Sequence, residues 1–242
     1  MNICNFRSDS RLIFGLMNKP DLLALLILLT CLVPAAFGKS KPLKSDVKPE
    51  EIKSLLFFGP FATIKYIEKD NEAVYNDSMS GISQQIVSRL LISYRRELHL
   101  NAGISLEDTI LERNVIKEVV SVLQSVTKFG NLYCLRHTPM IDSILESRGK
   151  RFGLCVVSMG FTRVRGNYTK AKAKSRAKYF LSNGWEDEDP VPLNSMVVAI
   201  IFDAERHDVA FFGSSGKHEN PLKEELVRER FREAFKGYFT LR

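Results

Sequence analysis

The sequence contains few of the side chains that bind transition metals. Its 242 residues include four cysteines and four histidines. The histidines are His99, His137, His207 and His218. They show no paired spacing of the kind found in metal sites, and two of the four cysteines lie in or before an apolar N-terminal run. We therefore predict no metal and no cofactor.

The sequence also lacks the common motifs of nucleotide binding and catalysis. Residues 211–221, FFGSSGKHENP, have two residues between the glycines where a Walker loop has four, and no serine or threonine follows the lysine. A glycine turn before a last helix explains this stretch better. Ser158 has no glycine two positions earlier, so it is no nucleophile elbow. His207 beside Asp203 and Asp208 is compatible with acid–base chemistry, but a polar hairpin tip explains it equally well. We predict no catalytic residue.

Charge is absent from residues 22–36, LLALLILLTCLVPAA. This run is shorter than the ~20 residues that a membrane-spanning helix needs. Lys19 precedes it, and its last residue begins Ala36-Phe37-Gly38, which has small residues at the two positions that a leader peptidase reads. A basic start, a short apolar core and a small-residue exit are typical of a signal peptide, which we place at residues 1–38, with Met17 as an alternative start.

Two other interpretations of this N-terminal run stay open. Leu-Leu-Thr-Cys, ending at Cys31, loosely matches a bacterial lipobox, in which the cysteine would be acylated. The run is also compatible with an uncleaved membrane anchor. In each case we expect the folded part to be exported, in the periplasm or associated with the outer membrane.

The remainder has the size of one ordinary domain. Residues 39–53, KSKPLKSDVKPEEIK, are polar and contain proline, so they are predicted to be a linker. Residues 54–242 are predicted to form a single domain. The whole chain has a formal charge of +7, which favours solubility and some affinity for anions.

Hydrophobic patterns in this domain alternate between strands and helices. Strands are predicted at 54–67, 131–135, 152–161, 194–203 and 208–213. Helices are predicted from the apolar stripes at 82–98 and 111–126, and at 138–145 and 220–237. Residues 70–81 are predicted to be a loop, and Gly59-Pro60 a break or bulge in the first strand. This order predicts an α/β fold with a mixed sheet packed by helices.

Cys134 and Cys155 lie in the apolar stretches NLYCL and GLCVV. Two buried core thiols are the simpler interpretation. A disulfide between neighbouring strands is the alternative in an oxidising compartment.

Residues 149–178 contain nine basic and no acidic residues. The cations proposed to bind an anion or partner are Arg163, Arg165, Lys170, Lys172, Lys174, Arg176 and Lys178. A strand would place the last five on one face, but the intervening alanines favour a helix. Such a surface binds polyanions with a strong dependence on salt. The alternative is a solvated helix face that pairs with the acidic residues 185–189, WEDED.

Export and the scarcity of interleaved aromatics argue against nucleic acid as the partner of this segment. We expect an envelope protein, an acidic glycan or a lipid headgroup instead. Membrane association through a lipid anchor is compatible with this view.

The arrangement resembles the small α/β domain of bacterial envelope proteins. SLLFFGPF would be the first strand, ISQQIVSRLL the first helix, TPMIDSILESRGKRFGLCVVSMGF a helix and strand, and NSMVVAIIFDAERHDVAFFG with NPLKEELVRERF the closing hairpin and helix. Proteins of this kind include the curli secretion-channel and polysaccharide-export lipoproteins and the amino-terminal domain of the Tol translocation protein. The resemblance implies a non-enzymatic role in secretion or envelope assembly.

The sequence also resembles exported proteins of Bacteroidetes. In these bacteria a serine within Asp-Ser followed by an apolar residue can carry an O-linked glycan, and Asp77-Ser78-Met79 matches in the predicted loop. The resemblance therefore implies glycosylation at Ser78. As the alternative function we keep a periplasmic hydrolase acting on phosphate esters or glycans.

Overall fold

The fold was analysed in a computed structural model, which describes residues 42–68, 71–104, 109–132, 138–181 and 190–242. The strands are β1 (Leu43–Lys44), β2 (Leu55–Ile67), β3 (Ala73–Tyr75), β4 (Leu100–Ile104), β5 (Phe152–Arg163), β6 (Asn194–Asp203) and β7 (Asp208–Lys217). The helices are α1 (Asp77–Ser93), α2 (Thr109–Phe129), α3 (Pro139–Ser147), α4 (Asn167–Leu181) and α5 (Glu224–Phe235). The predicted α/β fold with a mixed sheet packed by helices is confirmed.

The sheet has the order β1-β7-β6-β5-β2-β3, and β4 pairs with β2 on the same side as β3. β5 runs parallel to β2 and antiparallel to β6, so the sheet is mixed. β6 is buried from Ser195 to its end, and most of β5 is buried too. A strand covered on both faces needs apolar side chains in both directions, which explains the continuous apolar runs that predicted these two strands.

Each face of the sheet has its own core. α1 and α5 cover one face, and their inward residues are Ile86, Val87, Leu90, Leu91, Val227, Phe231 and Phe235. α2 and α3 cover the other face, with Val115, Val119, Leu123, Val126, Ile141 and Leu145 inward. Full burial of each large side chain contributes about 1.5–3 kcal/mol. The two layers of helices therefore stabilise one central sheet.

A bulge interrupts β2 at the predicted position. The register of β2 against β5 shifts between Phe58 and Phe61, on either side of Gly59-Pro60. Before the bulge β2 pairs with β4, and after it with β3. Between these two partners the backbone of Ile64 bonds to the start of α1, because its N–H donates to Ser80 Oγ at 2.9 Å and its carbonyl accepts from Asn76 N–H at 3.0 Å.

α1 begins earlier than predicted. The segment 70–81, predicted as a loop, contains β3 and the first turn of α1, which starts at Asp77. Asn76 caps the helix by accepting a hydrogen bond from the Met79 N–H at 2.9 Å. Ser78 is exposed in this first turn, so the glycosylation candidate lies on a helix and not in the predicted loop.

The described part of the predicted linker belongs to the folded domain. β1 pairs with Phe211 and Phe212 of β7 at the edge of the sheet. Val47 is buried, and its carbonyl accepts a hydrogen bond from the Tyr238 hydroxyl at 3.0 Å. Isolated apolar residues in a lysine-rich segment gave no periodic signal, which is why the sequence alone suggested a linker.

Other differences concern short or extended elements. β4 was not predicted, because its five residues are bounded by a helix end and have no clear alternation. Residues 131–132, predicted as the start of a strand, form a bend, and 133–137 lie outside the described residues. These undescribed residues include Cys134.

Cys155 carries a free thiol, fully buried in β5, and burial raises the pKa of this thiol.

β7 and α5 also differ in extent from the prediction. β7 continues through the GSSGK stretch to Lys217, and α5 starts at Glu224 and not at Asn220. Gly213 allows this packing, since a Cβ there would lie 1.9 Å from the Ala234 carbonyl oxygen. The glycine therefore serves the close approach of α5 to β7.

Candidate functional site

The basic segment forms α4, a helix of 15 residues. Its alanines are strong helix formers and weak strand formers, so the prediction of a helix over a strand is confirmed. Gly166, with φ of +85°, makes the turn that leads from β5 into the helix. In the part of α4 whose side chains the structure describes, 167–176, Asn167 alone is buried.

Asn167 anchors the first turn of α4 to the sheet. Its amide group donates to the Glu68 carbonyl, and its Oδ1 accepts from Arg163 Nη1 at 3.2 Å. Arg163 Nε donates to the Val191 carbonyl at 2.7 Å, and Nη1 also donates to Asn71 Oδ1 at 3.1 Å. Burial lowers the pKa of the Arg163 guanidinium. Arg163, predicted as an anion-binding cation, therefore links α4 to the segments that contain Asn71 and Val191.

The other predicted cations lie nearer to solvent. The exposed ones are Arg165, Lys170, Lys174 and Arg176. Lys172 is half-buried, and its Nζ lies 5.7 Å from the centre of the Tyr168 ring, a cation–π distance. Lys178 lies on the helix, but its side chain is outside the described residues.

These cations are not neutralised by the described acidic residues. The ion pairs formed among the described side chains lie elsewhere in the molecule, and none includes Arg165, Lys170, Lys172, Lys174 or Arg176. The acidic stretch 185–189, predicted as an alternative partner, lies outside the described residues. α4 thus presents an exposed basic surface next to the sheet.

A second polar cluster lies at the β6–β7 turn. His207 Nδ1 lies 3.0 Å from Oδ2 of Asp142, which is buried in α3. Thr138 Oγ1 donates to Asp142 Oδ1 at 3.4 Å. The His207 backbone has a positive φ of +52°, and its side chain is 49% exposed. A buried carboxylate thus orients a half-exposed imidazole, an arrangement that acid–base catalysts also use.

The predicted partners of His207 have structural roles instead. Asp203 is buried and accepts two hydrogen bonds from Arg151, from Nε at 2.9 Å and from Nη2 at 2.8 Å. This contact raises the pKa of Arg151. Burial raises the pKa of Asp208, whose Oδ1 accepts from the Val209 N–H at 2.7 Å. Asp142 was missed as the partner because it lies 65 residues from His207 in the sequence.

Two further candidate sites from the sequence, the GSSGK stretch and Ser158, have structural roles in the fold. The GSSGK stretch is a β-strand, which rules out both a phosphate loop and the predicted glycine turn at 213–217. The Ser158 hydroxyl is fully buried and lies 2.8 Å from the Ser83 hydroxyl of α1. The Ser214 and Ser215 hydroxyls of the stretch are buried as well.

An open depression lies between α2 and α3, lined by Asn114, Lys117, Glu118, Pro139, Met140 and Ser143. The Glu118 carboxylate accepts hydrogen bonds from the Met140 and Ile141 N–H groups at 2.8 and 2.9 Å. It therefore caps the first turn of α3, a structural use of the charge.

Within the ranges that the structure describes, no three histidine, cysteine, aspartate or glutamate side chains are arranged to hold a metal ion. None of the described helices is both long and apolar enough to cross a membrane. The signal-peptide prediction and Cys31 concern residues before 42, which are outside the described part.

No model of a known protein family matches the chain, and no curated protein sequence is significantly similar to it. The resemblance to envelope proteins therefore stays a prediction.

Proposed function

We propose that this chain is an exported, non-catalytic protein of the cell envelope that binds an anionic partner through α4. The partner is an acidic glycan, an anionic lipid surface or an acidic envelope protein. The observation that carries the proposal is the exposure of Arg165, Lys170, Lys174 and Arg176 on or beside one helix, without ion pairs to described acidic residues.

Binding of a polyanion to such a surface is favourable because each engaged cation releases roughly one condensed counterion. The gain falls as salt concentration rises, so the affinity depends strongly on ionic strength. Like charges four residues apart also repel and slightly destabilise a free helix. An anionic partner would relieve this repulsion as it binds.

A non-catalytic role agrees with how the reactive side chains are used. The buried Ser158 hydroxyl pairs with Ser83, and Asp203 pairs with Arg151. Each would have to leave a buried contact to take part in a reaction, at the cost of an unsatisfied polar group.

Charge reversal on α4 tests the proposal. The double variant Lys170→Glu/Lys174→Glu should lose most of its retention on dextran sulfate and on vesicles of phosphatidylglycerol, measured at low salt. Lysine and glutamate have similar helix propensities, so the helix is retained. The matched control is Lys53→Glu/Lys223→Glu, which makes the same charge change at two other exposed lysines. If both double variants bind alike, α4 is not the binding surface.

Export and anchoring have a separate test. Mass spectrometry of the mature N-terminus distinguishes a free Lys39 from an acylated Cys31. An intact N-terminus on protein recovered from the cytosol would contradict export.

The Asp142–His207 pair favours a hydrolase of phosphate esters or glycans as the second candidate function. The buried carboxylate holds Nδ1 of the ring, while half of the His207 side chain faces solvent. Turnover of p-nitrophenyl phosphate or of nitrophenyl glycosides that is lost in His207→Ala and in Asp142→Asn would support it. Absence of turnover in the wild-type protein, or unchanged turnover in both variants, would contradict it.

A further inference from the structure

Three polar side chains meet at the amino end of the parallel strands β4, β2 and β5. Ser54 immediately precedes β2, and its Oγ accepts hydrogen bonds from Asn101 Nδ2 at 2.7 Å and from Lys150 Nζ at 3.3 Å. Asn101 belongs to β4, and Lys150 lies just before β5. β2 is the middle strand of the three, so its first residues lie between the other two segments. We call these three residues the donor cluster.

A bulge in β4 sets the direction of the Asn101 side chain. Leu55 and Leu56 of β2 pair with Leu100 and Ala102, so Asn101 is an extra residue in β4. Bulges re-aim side chains and are frequent next to functional sites. Here the bulge turns the amide group of Asn101 toward the rest of the donor cluster.

The junction between α3 and β5 fixes the backbone of Lys150. Gly149 has a φ of +60°, and the N–H groups of Gly149 and Lys150 donate to the carbonyls of Glu146 and Leu145, both at 2.9 Å. Helices commonly end with a glycine in this conformation. Because the lysine is already held by its backbone, binding of a ligand to its side chain costs less conformational entropy.

The donor cluster has more hydrogen-bond donors than its internal contacts use. A lysine ammonium has three N–H groups and an asparagine amide has two. Lys150 and Asn101 each use one of them on Ser54, and the Ser54 oxygen is the acceptor in both contacts. Lys150 and Ser54 are half-buried and Asn101 is exposed, so a small ligand can reach the cluster. A hydroxyl, an amide and an ammonium group therefore offer donors side by side.

The charge around the donor cluster is positive. The Arg95 guanidinium donates to two backbone carbonyls of β4, each at 3.0 Å. Among the residues that the structure describes, neither Arg95 nor Lys150 takes part in an ion pair. Arg151 differs from its neighbour, because it pairs with Asp203 and Glu205 at 2.8 Å each. The carboxylates closest to Arg151 are thus used there, and Lys150 keeps its charge for a ligand.

Donors from three separate segments suit an anion that has oxygens in several directions. A carboxylate has two oxygens in one plane and is matched best by the planar fork of an arginine, whereas lysine binds phosphate as a point charge. We infer that Ser54, Asn101 and Lys150 bind the phosphate group of a small ligand, which is either inorganic phosphate or a phosphate monoester. The tetrahedral group can accept from all three side chains at once.

This phosphate site is separate from α4. β5 begins beside the donor cluster and leads toward α4, and a strand of its length spans about 35–40 Å at roughly 3.3 Å per residue. The inference therefore goes beyond the proposed function and does not depend on it. Lys170→Gln/Lys174→Gln should leave the affinity for phosphate unchanged.

Titration of the full chain with inorganic phosphate, glycerol phosphate and acetate, at constant ionic strength, tests the site. Proton–nitrogen NMR spectra report binding through the side-chain amide signals of Asn101, which are identified by their absence in Asn101→Ala. We expect saturable shifts of these signals with both phosphates and weaker binding of acetate. A phosphate ester is the ligand if glycerol phosphate binds more tightly, and the free ion is the ligand if inorganic phosphate does.

Three variants show whether the donor cluster itself is responsible. Lys150→Gln should weaken phosphate binding about tenfold, because a charge-assisted hydrogen bond is lost. Ser54→Ala keeps every charge and should weaken binding severalfold. The matched control is Lys53→Gln, which removes the same charge at the exposed residue next to Ser54 and should change the affinity by less than about twofold, since solvent and salt screen that charge. Circular dichroism of each variant checks that the fold is retained.

Four results would overturn the inference. Equal weakening by Lys150→Gln and Lys53→Gln would mean that only a diffuse positive field attracts the anion. Unchanged phosphate binding in Ser54→Ala would mean that the donor cluster does not hold it. Acetate that binds as tightly as phosphate would contradict the tetrahedral ligand, and shifts that do not saturate would mean that there is no site.

Discussion

α4 and α5 are both surface helices rich in cations, yet they are built in opposite ways. α5, EELVRERFREAF, mixes acidic and basic residues and buries Val227, Phe231 and Phe235 in the core. α4 contains no acidic residue, and in its described part Asn167 alone is buried.

The cations of α5 are used within the molecule. Arg228 pairs with Glu224 at 2.9 Å, and the same glutamate pairs with Arg89 of α1 at 2.8 Å. Arg230 is buried, with Nε 3.0 Å from Glu219 Oε1 and Nη1 3.0 Å from the Ser215 hydroxyl. The basic residues of α5 thus form ion pairs within the fold, whereas the cations in the described part of α4 make no ion pair with a described acidic residue.

The largest expected effect is on the core contact of α5. Phe231→Ala should lower the free energy of unfolding by about 3–5 kcal/mol, because it removes a fully buried ring stacked on Tyr94 and leaves a cavity. Urea denaturation measures the loss. Ala173→Gly in α4 should cost no more than about 1 kcal/mol. Similar losses of unfolding free energy in the two variants would mean that α4 and α5 contribute equally to the stability of the fold.

The buried ion pair of α5 comes next. Glu219→Gln removes the buried carboxylate beside Arg230 and leaves the guanidinium paired only with the exposed Glu229, so the expected loss of unfolding free energy is at most about 3 kcal/mol. The control is Glu233→Gln, which removes the partner of the exposed Lys236 and should cost less than about 1 kcal/mol. Chemical denaturation at neutral pH compares the two. Equal effects would show that the Arg230 pair behaves like a surface pair.

Tyr238, just after α5, makes the free energy of unfolding depend on pH. Burial raises its pKa to about 12, and the phenol of the unfolded chain ionises near 10. The folded state therefore favours the neutral phenol, so this contribution is complete below pH 10 and is lost as the pH rises toward 12. Tyr238→Phe should lose about 1 kcal/mol at neutral pH, because the hydrogen bond to Val47 is removed. Its unfolding free energy should also fall less steeply than that of wild type between pH 10 and 12, and parallel curves would contradict the prediction.

The smallest effect is expected in α4. Lys170→Glu replaces a repulsive contact with Lys174 by an attractive one and places an acid near the helix N-terminus, which stabilises the helix by about 0.3–0.5 kcal/mol. Thermal unfolding should show a slightly higher midpoint. A fall of more than about 1 kcal/mol would mean that the lysine serves the fold after all.

Local patterns in the sequence were sufficient for much of the fold. The continuous apolar runs of β5 and β6, the bulge at Gly59-Pro60 and the alanines of α4 each have a local physical cause. The features that were missed depend on tertiary contacts. β1 is a strand only because the edge of β7 accepts it, and Gly213 is constrained by Ala234 of a later helix.

In the candidate site, too, the features with a local cause were predicted and those that depend on tertiary contacts were missed. Composition alone identified the cations of α4, since a run of basic residues without acids is visible in the sequence. It did not identify Arg163 as an anchor, because Val191 and Asn71 approach it only in the folded chain. Nor did it pair His207 with Asp142, which belong to different elements.

The interruption of β2 has a consequence for how copies of this protein behave in concentrated solution. The outer edge of β2 changes partner around the bulge, and a foreign strand could add to the sheet at such a gap. Pro60 has no N–H to offer, and both backbone polar groups of Ile64 are already bonded to Asn76 and Ser80. An incoming chain would therefore find too few hydrogen bonds there to start edge-to-edge aggregation.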